Sequence, residues 1–484
     1  MKNSNILVVR IIFLITIFLP IAETKVRYDF RSSIVKIYTT YTSPNYYRPW
    51  QVRGPYEIVG SGSIINGKRI LTNAHVVSNA SFIQVKRADR VNKYIAKVEF
   101  IAHDCDLAIL KVEDETFFNG SISLEFGELP RLRDKVAVYG FPEGGEELCI
   151  TEGVISRVEH RNYAHSNAYL LACQMDAAIN PGSSGGPVIK DGKIIGVSFQ
   201  AGRGENVSYM IPVVLINRFL KDIEDNKYDG IPDLCIWWNK LESPDLRQKY
   251  GLKDKDTGVI VEKVYSVSNI CKVLQPDDII LSVDNVKIFN DGTIEFRKGE
   301  RTSLLYVIQN KLLGEKVKFD ILRNGKINTV EFTLDVGVNT WRLVPNPEYD
   351  KYPRYYIFGG FIFVPLTYNL INEWGSDSAP VSFYYHYHYS DPTEERKEIV
   401  VLLRVLSDEV NIGYQEYQHV ILKSVNNEPV KSLNHLVELC EKSNVEYIEF
   451  KLENGERIVV NAQKCKDAKN RILNKYKISS DRYL

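Results

Sequence analysis

The stretch Asn180-Pro181-Gly182-Ser183-Ser184-Gly185-Gly186-Pro187 sets the tightest limits on what this chain can become. Its glycines permit backbone angles that other residues resist, and they let another main chain come close. Such a turn can expose a serine Oγ while aiming two backbone N–H groups at one point beside it. Nucleophilic attack on a carbonyl needs that arrangement: an attacking oxygen, with donors where the oxyanion develops. The same residues also suit an ordinary Gly/Ser loop between strands. The residues upstream decide between the two.

From Ile34 to Val214 the pattern is one of short strands and turn signals, with almost no helical periodicity. Ser61 to Ile65, then Asn66-Gly67, then Lys68 to Thr72 predicts a hairpin on a favoured Asn-Gly turn, and it runs straight into Asn73-Ala74-His75-Val76-Val77. Asp104-Cys105-Asp106 precedes the apolar strand Leu107 to Val112, and a second hairpin, turning at Asp191-Gly192, follows the glycine-rich stretch. Alone, His75 reads as a buried structural histidine and Asp106 as a solvated cap. Together, the order His75, Asp106, Ser184 is that of chymotrypsin-type barrels. In that scheme Ser184 attacks the scissile carbonyl, His75 takes its proton and returns it to the leaving amine, and Asp106 fixes the imidazole tautomer. The N–H groups of Gly182 and Ser184, helped by Ser183, form the expected oxyanion hole.

Thr72-Asn73-Ala74-His75-Val76-Val77, Cys105-Asp106-Leu107-Ala108-Ile109-Leu110-Lys111 and Asn180 to Pro187 closely resemble the three catalytic blocks of the HtrA/Deg (DegP-like) serine proteases. Gly60-Ser61-Gly62-Ser63 is similar to that family as well. The resemblance covers residues of roughly 30–226, and no member of the triad is replaced. It implies an active serine endopeptidase on a double β-barrel, assembled into trimers or multiples of trimers. It also selects Asp106 over Asp104, since Asp106 immediately precedes the Leu-Ala-Ile-Leu strand. By the same resemblance Phe199, Gln200, Ala201 and Arg203 belong to a loop lining the substrate pocket. The family favours small aliphatic residues at the cleavage site; with Arg203 in this loop, the specificity of this chain stays open. Cys105 and Cys173 lack a neighbouring basic motif and read as small core residues. A helical stripe from Val213 to Asp225 closes this domain.

Two further modules follow. Residues 231–340 carry strand patterns and Gln275-Pro276-Asp277-Asp278-Ile279-Ile280, which looks like a PDZ domain, a fold that binds extended peptides by adding a strand. The segment matching its carboxylate-binding loop is Asp233-Leu234-Cys235-Ile236, so Leu234, Cys235 and Ile236 are the candidate peptide contacts. Asp and Cys stand where glycines are usual, and an acid there repels a terminal carboxylate. Residues 352–465 resemble a second PDZ domain through Phe358-Gly359-Gly360-Phe361 and His419 to Val430. Trp238 to Arg247 and Arg297-Lys298-Gly299-Glu300-Arg301 resemble the plant-type Deg branch with two PDZ domains, where the second module serves assembly. Tyr384 to Tyr389 alternates tyrosine with histidine and reads as an aromatic strand with both histidines on one face. The tail, 466–484, reads as a frayed helix.

The chain is therefore expected to be mainly β: a signal peptide at 1–22, a trypsin-like protease domain at 27–226, PDZ domains at 231–340 and 352–465, and a tail. Lys2 and Arg10, the apolar run Ile11 to Leu19 and Ala22 supply the signal-peptide pattern, which points to export into a periplasm or a secretory or organellar lumen, membrane-associated if the signal is retained. No later segment reaches spanning length. With 61 basic and 61 acidic residues, no global field favours nucleic acid. Seven scattered cysteines lack CxxC or CxxH spacing, so neither a zinc site nor a disulfide framework is indicated. No metal or cofactor is called for. The expected function is ATP-independent cleavage of unfolded or damaged proteins in quality control, under stress conditions. Two alternatives stay open: a chaperone or peptide-binding scaffold with a latent protease, and a processing protease for a few native partners.

Overall fold

Twelve strands between Ile34 and Pro212 close into two six-stranded barrels. The structure, a computed structural model, describes residues 29–201, 207–375, 378–442 and 444–484. The signal segment expected at 1–22 and the pocket residue Arg203 lie outside the described residues. The first barrel contains β1 (Ile34–Pro44), β2 (Val52–Ile65), β3 (Arg69–Thr72), β4 (Ala80–Arg87), β5 (Tyr94–Ala102) and β6 (Leu107–Val112). The second contains β7 (Lys135–Gly140), β8 (Cys149–Asn162), β9 (Tyr169–Met175), β10 (Pro187–Lys190), β11 (Lys193–Ala201) and β12 (Ser208–Pro212). Closure leaves neither barrel with a free sheet edge.

The two hairpins noted in the sequence form by different turns. Lys190 faces Lys193, and Asp191 and Gly192 both take left-handed φ values of 50° and 81°, giving the two-residue turn expected. At the first hairpin Ile65 faces Arg69, so the loop holds three residues. Its left-handed positions are Gly67 and Lys68 rather than Asn66 and Gly67.

One short helical turn, α1 (Ala74–Val77), leaves β3 and carries His75. Helix α2 (Val213–Asp222) buries Val213, Leu215, Ile216 and Phe219, the stripe seen in the sequence, against the second barrel. Each such side chain taken fully out of water contributes about 1.5–3 kcal/mol.

The next module is a sheet ordered Ile236–Lys240, Val259–Val264, Ile279–Val283, Lys316–Arg323, Lys326–Thr333. A separate hairpin, Thr293–Arg297 with Glu300–Ser303, reaches the protease domain. The Arg297 guanidinium donates to the carbonyls of Leu129 (3.1 Å) and Pro130 (2.8 Å) and pairs with Glu300 at 2.7 Å. The Arg297 to Arg301 segment that resembles the two-PDZ branch is thus the docking hairpin.

The last module differs from expectation in two places. Tyr384 to Tyr389 is not a strand but the second half of helix Val381–Tyr389, with Phe383, His386 and Tyr387 buried at helical spacing. Burial of that one face outweighs the strand preference of alternating aromatics. His386 and His388 therefore do not share a face, and His386 bonds Ser390 (2.8 Å) and Glu453 (3.1 Å). The tail is not a frayed end either. Asn461 caps helix Ala462–Tyr476, which buries Ala462, Cys465, Ala468 and Ile472, and Arg482–Tyr483 then pairs as a strand with Tyr355 and Tyr356. Residues 466–484 complete the last module. All seven cysteines are free.

Candidate active site

Both barrels contribute residues to the candidate site. From the first, α1 presents His75 and the turn ahead of β6 presents Asp106; from the second, the turn ahead of β10 presents Ser184. Asp106 is buried, 1% exposed, while the His75 side chain is 32% exposed. His75 Nδ1 lies 2.7 Å from Asp106 Oδ2, and the His75 backbone N–H donates to Oδ1 at 2.8 Å. One carboxylate thus orients both the ring and its main chain. Asp106 holds a left-handed φ of 56°, and the buried Asn73 amide donates to its carbonyl at 2.8 Å. Strained backbone fixed in this way is characteristic of functional sites.

Asp104, the other candidate acid, points away. Its carboxylate accepts from the Cys105 N–H (2.8 Å), the Tyr228 hydroxyl (2.5 Å) and the Ile231 N–H (2.9 Å), tying down the link to the first PDZ module.

Burial pushes the Asp106 carboxyl up, but the His75 ring, the His165 ring and the bonds from His75 outweigh it, so the carboxyl stays ionised below its usual range. Burial likewise pulls the His75 imidazole down, and the Asp106 carboxylate overcomes that effect and leaves it above its ordinary 6.5. The pair is an imidazole poised to accept a proton beside a fixed negative charge.

The Ser184 turn is set by main-chain contact. Gly185 has φ +85°, and a Cβ there would lie 2.1 Å from Ser61 O and 2.2 Å from Thr72 Oγ1. Gly182 has φ +93° and would meet Phe141 O at 2.4 Å. The Ser61 N–H donates to Ser184 O at 2.8 Å, and Ser198 Oγ donates to Ser183 O at 2.8 Å. Among the described residues the N–H groups of Gly182 and Ser184 have no acceptor, whereas the Ser183 N–H is committed to Asn180 O at 2.9 Å. The expected contribution of Ser183 to an oxyanion hole is therefore not available in this conformation. Ser184 Oγ makes a long contact, 3.5 Å, to Phe199 O, and no bond between it and His75 forms among the described residues.

Of the pocket loop, Phe199 is buried against Tyr163 with ring centroids 4.6 Å apart, Gln200 accepts from the Ala164 N–H at 3.1 Å, and Ala201 is exposed. In the first PDZ module Leu234 and Cys235 are buried and Ile236 half-buried. Asp233 itself accepts from the Cys235 N–H (3.0 Å) and from Trp341 Nε1 (3.0 Å), so a carboxylate of this chain already occupies the loop.

Sequence reading missed three contributors. Ser61 was visible only as part of a matching Gly-Ser block. Thr72 hid in a strand end, its hydroxyl donating to Ser61 O at 2.7 Å. His165 carried no motif, yet its ring centroid lies 6.1 Å from that of His75, and burial pushes it down to about 4.

A trypsin-like peptidase domain model matches residues 60–197, and a PDZ domain model matches residues 344–483. Protease Do-like 4, mitochondrial, of Arabidopsis thaliana is 40% identical over 451 residues, 93% of this chain and 84% of the relative. The chain belongs to the Do-like (HtrA/Deg) serine proteases. It is a serine endopeptidase of that family, built as a double-barrel protease domain followed by PDZ modules. Protease Do-like 2, chloroplastic, from the same plant is 38% identical, over 94% of this chain and 75% of the relative. A solved structure titled HtrA-type protease AlgW with tripeptide is 27% identical, covering 63% of this protease and 94% of its own chain at a TM-score of 0.49.

Proposed function

We propose that His75, Asp106 and Ser184 are the catalytic triad, and that the protease cleaves unfolded or damaged proteins without ATP as part of protein quality control. The bond between His75 Nδ1 and Asp106 Oδ2, 2.7 Å long, next to the Thr72–Asn73 backbone against which the Ser184 turn packs, carries this reading. Ser184 Oγ attacks the substrate carbonyl as His75 Nε2 accepts its proton. Asp106 stabilises the imidazolium, which then protonates the leaving amine. The uncommitted N–H groups of Gly182 and Ser184 receive the oxyanion. Phe199, Gln200 and Ala201 are assigned to the pocket for the residue before the cleaved bond.

Attack requires Ser184 Oγ to turn from Phe199 O towards His75. Catalytic hydrogen bonds commonly tighten only when substrate binds. The occupied Asp233 loop argues that the first PDZ module does not take free C-terminal carboxylates. Two relatives carry organellar names, mitochondrial and chloroplastic, which supports an organellar lumen for this protease. No helix among the described residues is long and apolar enough to cross a membrane. Assembly into trimers or multiples of trimers is part of this proposal.

The test is covalent labelling with a fluorophosphonate, followed by peptide mapping. The label is expected on Ser184 alone and absent from His75→Ala. Labelling elsewhere, or none in the presence of an unfolded substrate, contradicts the assignment.

A further inference from the structure

Residues 349 and 350, near the start of the segment matched by the PDZ domain model, touch the protease domain beside the dyad. Asp350 and Asn79 make a reciprocal pair: the Asn79 N–H donates to Asp350 Oδ1 at 2.5 Å, and the Asp350 N–H donates to Asn79 Oδ1 at 2.7 Å. Both residues sit in the left-handed region, at φ 58° and 55°. Asn79 follows α1, the turn that carries His75. The other oxygen of the carboxylate, Oδ2, lies 2.8 Å from His103 Nε2, and His103 precedes the Asp104-Cys105-Asp106 turn. A single residue of the last module therefore fastens the segment behind His75 to the segment ahead of Asp106.

The contact continues inward. His103 Nδ1 lies 3.0 Å from His165 Nε2. Tyr349 stacks on His165 at a centroid distance of 3.9 Å and donates its hydroxyl to the His165 carbonyl at 2.7 Å. His165 in turn lies beside His75. Residues 349 and 350 thus form part of the wall that holds the dyad, although they belong to neither barrel.

We propose that Asp350 is a positioning residue for the catalytic dyad, acting through Asn79 and His103. The inference rests on the triad reading above. It follows from geometry: two strained segments, each one loop from a triad member, share one carboxylate, and loss of that carboxylate lets them separate. A displacement near 1 Å at a reacting group lowers turnover on the order of a hundredfold.

The test uses the full chain with Asp350→Ala, Asp350→Asn and Ser184→Ala. Three quantities are measured: kcat and KM on a short peptide, the inactivation rate by a fluorophosphonate, and thermal unfolding. Asp350→Ala is expected to lower kcat and the inactivation rate by about tenfold or more, with KM within about twofold and unfolding nearly unmoved. Asp350→Asn, which keeps an oxygen for the Asn79 N–H, is expected to fall between it and wild type. Unchanged kcat in Asp350→Ala overturns the inference, and so does a loss that Asp350→Asn shares in full alongside an equal fall in thermal stability. Retained cleavage by Ser184→Ala overturns the triad reading instead and removes the basis of the inference.

Discussion

Ser61 belongs to the first barrel, yet its hydroxyl donates to the carbonyl of Gly182 in the second, 2.8 Å away. The Phe141 N–H donates back to the same oxygen at 2.9 Å, so one buried hydroxyl satisfies a group on each side of the nucleophile turn. The Ser61 N–H holds Ser184 O as well. The barrels are coupled at the Ser184 turn.

Ser61→Ala removes one acceptor and one donor from a dry site and leaves Phe141 N–H and Gly182 O unpaired. Each such group costs about 1–3 kcal/mol. Denaturant unfolding is expected to show a loss of that order, with kcat reduced more than KM is raised. Wild-type stability and turnover in this variant contradict the role given to Ser61.

Gly185→Ala is expected to be far worse. The new methyl meets Ser61 O at 2.1 Å and Thr72 Oγ1 at 2.2 Å, at a φ of +85°. A loss of about 4 kcal/mol or more is expected from combined overlap and strain, with no cleavage. A folded, active variant shows the turn to be looser than described.

The pH–rate profile follows from the dyad. In the proposed mechanism only neutral His75 accepts the Ser184 proton, and the Asp106 carboxylate raises the ring's pKa above its ordinary 6.5. Activity towards a small peptide is therefore expected to fall on the acid side with a midpoint above 6.5. Asp106→Asn is expected to lose on the order of 10⁴ in kcat. An acid limb centred well below 6.5 contradicts the coupling between His75 and Asp106.

His160 gives stability a separate pH dependence. It is buried between the protease domain and the first PDZ module, with Nδ1 2.8 Å from Thr302 Oγ1 and Nε2 3.2 Å from Gln309 Oε1. Burial pushes it down to about 4 from 6.5. Because the folded value is depressed, the unfolded chain binds the extra proton first. Stability is full above pH 6.5 and declines as pH falls towards 4, by about 1.4 kcal/mol per unit and on the order of 3 kcal/mol in all. Thermal unfolding between pH 7 and 4 is expected to show this slope, flattened by one proton in His160→Gln. Equal slopes in both proteins contradict it.

The barrels and the dyad were legible because each rests on short-range pattern: turn pairs such as Asp191-Gly192, and motif residues held within one turn of a strand. Helix Val381–Tyr389 was not legible, since its face is defined by what packs on Phe383 and Tyr387, which alternation cannot report. The tail was legible as a helix but not as a packed one, for the same reason: the mostly polar segment Ala462–Tyr476 hides four buried positions. Asp350 and His165 reach the site through long-range packing, so no spacing near His75 points to them.

Wild-type protease and Ser184→Ala, compared on an unfolded model protein with fragments read by mass spectrometry, test the central claim most directly. Cleavage by the wild type that falls by about 10⁴-fold or more in the variant is the predicted result. Equal cleavage by both contradicts it.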